Sequence, residues 1–288
     1  MRTLLRSEKH EVWIDAGSTF TVIGEKINPT GRKKLAEALV NRDYEYICNI
    51  ARQQVAGGAD VLDVNVGAPG IDEVAVLAEV ACRLAQTVDV PLCLDSANRE
   101  ALAAALAVLP GKPLINSVNG EEASLNRILP VVKEYGAAVI GLTMDDDGIP
   151  TTVDRRLMVA NKILERAARF GIPAEDVIID PLVLTVGADS KTASITLETV
   201  ERVRLELGVN ISLGASNVSF GMPERHTINQ AFLVLAIAAG ASCAITDPMK
   251  LVLTIRAADL LRGRDDRGRR YLGYWRTLQA MQSAQGSP

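Results

Sequence analysis

The sequence predicts an α/β protein, a single-domain (β/α)8 TIM barrel of parallel strands. Three observations predict it. Short apolar runs rich in Val, Ile and Leu recur along the chain, each followed by a stretch of helical period. The runs lack an apolar–polar alternation, so both faces are buried, as in parallel sheets. The chain has 288 residues, and one such barrel takes roughly 250. A doubly wound open sheet is the rival architecture. It calls for a glycine-rich phosphate loop after the first strand, and GEKINPTG (24–31) is not one.

Residues 1–19 read as a polar, irregular lead-in. The first strand is FTVIGEKI (20–27), and a helix over 43–57 follows, stopped by Gly57-Gly58. The second strand is VLDVNV (61–66), with a helix over 72–87 that carries apolar Val74, Leu77, Val80, Ala81 and Leu84. PLCLDS (91–96) leads to a helix over 98–108, and PLINSV (113–118) to one over 121–134. AVIGLT (138–143) precedes a helix over 153–170 that stops at Gly171-Ile172-Pro173. VIIDPL (177–182) is followed by a helix over 194–207 with Gly208 as its cap. ISLGAS (211–216) leads to a helix over 227–239 capped by Gly240, and CAITDP (243–248) to the last barrel helix, 250–261. The barrel thus occupies 20–262, and 263–288 read as a C-terminal helix with a disordered end.

Composition narrows the function. Hydrophobic residues make up 48% and charged residues 23%, as in ordinary soluble globular proteins. A net charge of −4 excludes a basic nucleic-acid platform. No apolar span of membrane length and no signal-peptide core occur, so a cytoplasmic location with no membrane partner is expected. Cys48, Cys82, Cys93 and Cys243 are scattered without a CxxC and read as buried small hydrophobes. With His10 and His226 the only histidines, no metal site is expected. The run RGRDDRGRR (262–270) mixes both charge signs and reads as a solvated helix end or linker.

The strand ends carry the chemistry. Polar residues at the C-terminal ends of barrel strands converge on one mouth, where binding and catalysis reside. Here they are Glu25 and Asn28, Asp63 and Asn65, Asp95, Asn116, Thr143, Asp180, Ser216 and Asn217, and Asp247. Carboxylates and amides together suit a ligand with several N–H donors and ring acceptors, such as a pterin or a purine. Any one of them could instead cap a helix, and Asp95-Ser96 and Asn116-Ser117 do precede helices. Capping does not require an acid or amide at the end of successive strands, so the set points to ligand binding.

Seven stretches, IGEKINPTGRKK (23–34), ARQQVAGGADVLDVNVG (51–67), LCLDSAN (92–98), INSVNGE (115–121), GAAVIGLTMDDDGIP (136–150), IIDPLVL (178–184) and GASNVSFGMPER (214–225), resemble the pterin-binding barrels. Within them the chain is most similar to the methyltetrahydrofolate:corrinoid (iron–sulfur) protein methyltransferases. The resemblance implies methyl transfer between methyltetrahydrofolate and a corrinoid (cobalamin) carried by a separate corrinoid protein. It implies that Asp95, Asn116 and Asp180 hydrogen-bond the pterin ring, and that Asn217 lies beside the ring nitrogen bearing the methyl group. Gly214 and Ser216 would let their loop approach the ligand, Arg225 would lie near the benzoyl part, and Glu25 and Asn65 would be further mouth positions. Asn217 and Asp95 are the expected catalytic pair. A homodimer is implied as well, and INQAFLVLAIAAG (228–240) suits either an interface or burial against the barrel.

Two departures from the family stand out: about twenty residues precede the first strand, and Phe220, Gly221 and Met222 follow the SNVS motif. A dihydropteroate synthase shares the Asp/Asn/Asp set but needs basic residues for a pyrophosphate leaving group, and GASNVSFG has none before Arg225. A folate module of a methionine synthase and a non-catalytic folate-binding subunit are also compatible with these motifs. The direction of transfer stays open.

Overall fold

The computed structural model describes residues 1–285. It opens with an antiparallel hairpin, β1 (Thr3–Arg6) and β2 (Glu11–Ile14), where the sequence reads as an irregular lead-in. The barrel units follow: β3 (Thr21–Ile27) with α1 (Lys33–Val40) and α2 (Tyr44–Ala56), β4 (Val61–Val64) with α3 (Glu73–Thr87), and β5 (Leu92–Asp95) with α4 (Arg99–Val108). Next come β6 (Leu114–Asn119) with α5 (Glu122–Tyr135), β7 (Ala138–Leu142) with α6 (Val153–Arg169), and β8 (Val177–Asp180) with α7 (Thr192–Arg202). The last are β9 (Asn210–Ile211) with α8 (Arg225–Ala239), and β10 (Cys243–Thr246) with α9 (Pro248–Leu261). A further helix, α10 (Arg269–Gln285), ends the described chain.

Eight parallel strands pair in the order β10-β3-β4-β5-β6-β7-β8-β9. A bridge between Gly214 and Ile245 brings the two edge strands together, and Ser242 and Ile245 donate backbone N–H groups to Ile211 (3.0 Å) and Leu213 (2.9 Å). The expected (β/α)8 barrel is the fold. Its helices bury one face each; α3, for example, buries Val76, Leu77, Val80, Ala81 and Leu84, while Val74 is only half-buried.

The hairpin seals the barrel opposite the mouth. Leu5, Val12 and Ile14 pack with the inward-facing Ile23, Val61, Cys93, Leu114, Ala138, Ile178 and Cys243. Asn210 fastens it, donating to Thr3 Oγ1 (2.9 Å) and to the Ile14 carbonyl (2.8 Å). Burial alternates along each strand, yet over only four residues, too short a run to stand out in the sequence.

Two register shifts shape the mouth. In β3 the pairing slips between Gly24 and Ile27, and the Gln54 side chain accepts the Lys26 N–H at 2.8 Å. A Cβ on Gly24 would come within 2.5 Å of Gln54 Oε1, so glycine is what admits Gln54 there. A second slip lies in β6 between Asn116 and Val118. Such irregularities re-aim side chains at barrel rims.

Several expected elements differ. The seventh barrel strand is two residues long rather than six, because the chain leaves the sheet into a 3-10 turn over Ala215–Ser219. The expected helix over 194–207 is α7 plus a π turn, Val203–Leu207. The charge run joins the ends of α9 and α10, with Arg262, Asp266, Arg267 and Arg269 exposed as a solvated helix end implies, but it folds around a buried centre. There Asp265 is buried and caps α10 through the N–H groups of Arg270 (3.0 Å) and Tyr271 (2.9 Å), and Arg270 reaches Asp60 at 3.4 Å. Residues 286–288, part of the expected disordered end, lie outside the described residues.

Ile14 has no exposed surface. Ile14→Ala is expected to cost about 2–5 kcal/mol by leaving a cavity under the barrel, read from chemical denaturation, with no change in ligand affinity at the opposite end.

Candidate active site

The strand ends enclose a cavity of about 360 Å³ at the C-terminal mouth, within the range of roughly 300–1,000 Å³ usual for small-molecule sites. Seven of the nine residues that the family resemblance assigns to the site line it: Glu25, Asp95, Asn116, Asp180, Gly214, Ser216 and Asn217. Asn28, Thr30, Arg32, Leu142, Leu182, Ile245 and Asp63 complete the lining. Arg225 stands in an adjoining cavity of about 280 Å³, which shares Glu25 and Ser216 with the first and adds Lys26, His226, Asn229, Asp247, Lys250 and Leu251.

Asn65 is not part of the lining; it supports it. It lies just past β4 and donates from Nδ2 to Asp95 at 3.0 Å, while its Oδ1 accepts the Gly67 N–H at 2.8 Å. Both ends of its amide are thereby committed, and Asp95 is held in place. Asp63 belongs to the regular strand and faces inward, on the same face as Val61, which packs in the barrel interior.

Asp63 is easily undervalued in the sequence because a strand-interior acid resembles any other alternating polar residue. It is 2% exposed and accepts a hydrogen bond from Asn116 Nδ2 at 3.1 Å. A carboxylate accepts only, so it orients the Asn116 amide and leaves the Asn116 carbonyl oxygen free for an N–H donor. Burial, and then the neighbouring Asp95 charge, push the Asp63 carboxyl up to about 8, against the pull of the Asn116 bond. Burial likewise raises Asp95 above the ordinary carboxylate range, opposed by Asn65.

Asp180 ends β8 and accepts the N–H of Leu182 at 2.8 Å, in a turn where Leu182 has φ of 63°. Behind that turn runs the buried side chain of Arg156, which donates to the carbonyls of Pro181 (2.8 Å), Leu182 (3.1 Å) and Pro150 (3.0 Å) and to Thr196 Oγ1 (3.2 Å). Burial pushes Asp180 up to about 7, against the Leu182 and Gly214 N–H groups and the Arg156 charge.

The loop after β9 supplies the opposite wall. A Cβ on Gly214 would sit 3.0 Å from Asn217 Nδ2, so the absence of a side chain at 214 lets the 3-10 turn hold the Asn217 amide over the cavity without displacement. Among the described residues, no hydrogen bond to protein occupies the Asn217 side-chain amide, which leaves it available to a ligand. Ser216 donates to Glu25 at 3.0 Å. Arg225 donates to the Ser216 carbonyl (2.8 Å) and Ser219 Oγ (3.1 Å) and lies 5.7 Å from the Phe220 ring centroid, so it braces the loop. The whole cavity is an acceptor-rich cup with amides at its edges, suited to a flat heterocycle rich in N–H donors.

The profile of the pterin-binding enzymes matches residues 24–247, which include every one of these strand ends. The chain belongs to that family. Among curated relatives, a methylcorrinoid:tetrahydrofolate methyltransferase of Eubacterium limosum is 30% identical over 258 residues, 87% of this chain and 94% of its own. The methionine synthase of Mycobacterium tuberculosis is 34% identical over 245 residues, 80% of this chain, which spans 20% of that enzyme's length. Among solved structures, the dihydropteroate synthase of Yersinia pestis superposes with a TM-score of 0.68 at 16% identity, covering 91% of this chain and 100% of that one. That of Xanthomonas albilineans, in complex with 7,8-dihydropteroate, gives 0.66 at 20%, covering 87% and 96%. At such identities the likeness is one of fold.

The pH dependence of stability follows from the raised carboxyls of this pterin-binding barrel. A carboxyl whose pKa rises on folding contributes stability at acid pH that is lost as pH climbs through its folded value. Asp63→Asn, which keeps the shape and removes the charge, is therefore expected to gain on the parent protein between about pH 4 and pH 8, by on the order of a few kcal/mol. Denaturation curves across that range, parent against variant, check it; a constant difference would contradict the raised Asp63.

Proposed function

We propose that the protein moves a methyl group between methyltetrahydrofolate and the cobalt of a corrinoid held by a separate partner protein. The observation that carries this reading is Asn217, an unengaged amide poised over an acceptor-rich cavity, in a chain aligned with nearly the full length of a methylcorrinoid:tetrahydrofolate methyltransferase. In this reading Asp180, Asn116 and Asp95 take the N–H edge of the pterin. Asn65 holds Asp95, and Gly214, Ser216 and Glu25 form the wall against which the ring slides. Arg225 stands beside the benzoyl portion.

The chemistry places a demand on these residues. A methyl group on a tertiary amine leaves only if the nitrogen is protonated or strongly hydrogen-bonded as charge develops. Cobalt(I) on the partner supplies the nucleophile; the methyl–nitrogen bond breaks as the methyl–cobalt bond forms, and the ring nitrogen keeps the proton. Asn217 steadies that nitrogen in its protonated form, and Asp95, with its raised proton affinity, relays the proton through the pterin edge. The reverse transfer, onto tetrahydrofolate, uses the same groups.

Dihydropteroate synthesis requires cations for a departing pyrophosphate. The loop from Gly214 to Glu224 carries none, and Arg225 is committed to Ser216 and Ser219. We further propose a cytoplasmic homodimer. The outer face of α8 presents Ala231, Val234, Leu235 and Ala238, with Leu235 55% exposed, and an all-round apolar helix calls for cover on both sides.

Mixing the protein anaerobically with methyltetrahydrofolate and cob(I)alamin should yield methylcobalamin by its absorbance; folate binding without any transfer would favour a non-catalytic subunit. Asn217→Ala is expected to slow single-turnover transfer by about 10²–10³-fold with folate affinity changed only a few-fold; an unaltered rate removes Asn217 from the reaction. Leu235→Glu is expected to convert the dimer to monomer in sedimentation experiments.

A further inference from the structure

A groove of about 390 Å³ opens beside the two cavities. It shares Arg32 with the acidic cavity and Lys26 with the second one, so the three form a continuous track across the mouth. Its floor is apolar, with Leu35, Tyr46, Ile50 and Met249. Its rim holds Lys26, Arg32, Lys33 and Lys34, and among the described residues no carboxylate lines it. Lys26 is paired with Asp247, and Arg32 donates to the Lys26 carbonyl. Lys33 and Lys34 stand exposed on the first turn of α1 with no ion pair among the described residues; the Lys34 ammonium rests 4.9 Å from the Tyr46 ring centroid. A chain of net charge −4 thus keeps uncompensated positive charge beside its most acidic cavity.

We propose that this groove binds the γ-linked glutamate tail of a polyglutamylated folate, an inference that rests on the folate reading above. The polarity of the track matches such a ligand end to end. The pterin edge is a donor and meets carboxylates. The first glutamate is an anion and meets Lys250 in the second cavity. Each further γ-glutamyl unit adds one α-carboxylate on a short aliphatic stem. Lys33 and Lys34 take the carboxylates, and Leu35, Ile50 and Met249 take the stems. Each exposed ion pair is weak by itself. Tethering to a pterin already bound makes their formation intramolecular, so the small gains are realised together.

The test compares binding of methyltetrahydrofolate monoglutamate and triglutamate to the whole protein and to the double variant Lys33→Gln/Lys34→Gln. The parent protein is expected to bind the triglutamate about tenfold tighter, the scale of two or three exposed ion pairs, with the preference fading at high salt. The variant is expected to lose the preference while binding the monoglutamate as the parent does. Equal affinity of the two ligands for the parent protein overturns the tail site and leaves the folate reading intact. No binding of the monoglutamate overturns both. A variant that keeps the preference but transfers methyl more slowly with the corrinoid protein assigns the groove to that partner instead and overturns the proposal.

Discussion

Desolvation of carboxyl groups is the constraint around which this molecule is organised. Asp63, Asp95 and Asp180 stand at strand ends around one cavity, and Arg32, the one cation among the described residues of its lining, is turned to the Lys26 carbonyl. The neighbours of the three acids are amides and backbone N–H groups: Asn116 for Asp63, Asn65 for Asp95, Leu182 and Gly214 for Asp180. Such partners offset part of the cost of burial and leave all three proton affinities raised, those of Asp63 and Asp180 to near neutrality. Proton affinity near the working pH is what proton transfer requires, and a ligand that brings its own N–H donors relieves the remaining cost. The cup is thus predisposed toward a donor-rich guest.

Holding unpaired carboxyls in place needs stiff surroundings, and the fold supplies them from behind. Arg156 reaches under the turn after β8 and ties three carbonyls and a hydroxyl, so Asp180 is carried on a braced corner. The planar, always-charged guanidinium suits this better than an ammonium. Gln54 does a similar job at β3, where its carbonyl takes the N–H freed by the register slip; there Glu25 reaches the first cavity, Lys26 the apolar groove, and both line the second cavity between them. At the other end the hairpin fills the barrel with Leu5, Val12 and Ile14. Mouth and base are therefore built independently.

Whatever is periodic or terminal is legible in the sequence. The eight strands are visible because parallel strands are continuous apolar runs, and Asp95, Asn116 and Asp180 are visible because each ends such a run. Less legible are features set by distant contacts. Asp63 and Asn65 are two residues apart, and their separate tasks emerge only from where Asn116 and Asp95 stand. The hairpin is four residues per strand and acquires its meaning from the barrel base. The short β9 reads as six residues because Ser212, Leu213 and Ala215 are buried whether or not they pair. The corner at 262–270 reads as solvated because a run of arginines hides the one aspartate, Asp265, that is buried among them.

The close approach of residue 214 to Asn217 also has an evolutionary side. With only 3.0 Å between a would-be Cβ and the amide nitrogen, a side chain at 214 makes the Asn217 amide give way by a few tenths of an ångström. A side chain at 214 therefore moves the amide from its present place over the mouth unless the turn adjusts with it. Divergence on this barrel is thus coupled at 214 and 217, and descendants that kept the present shape of the mouth are expected to change the two positions together.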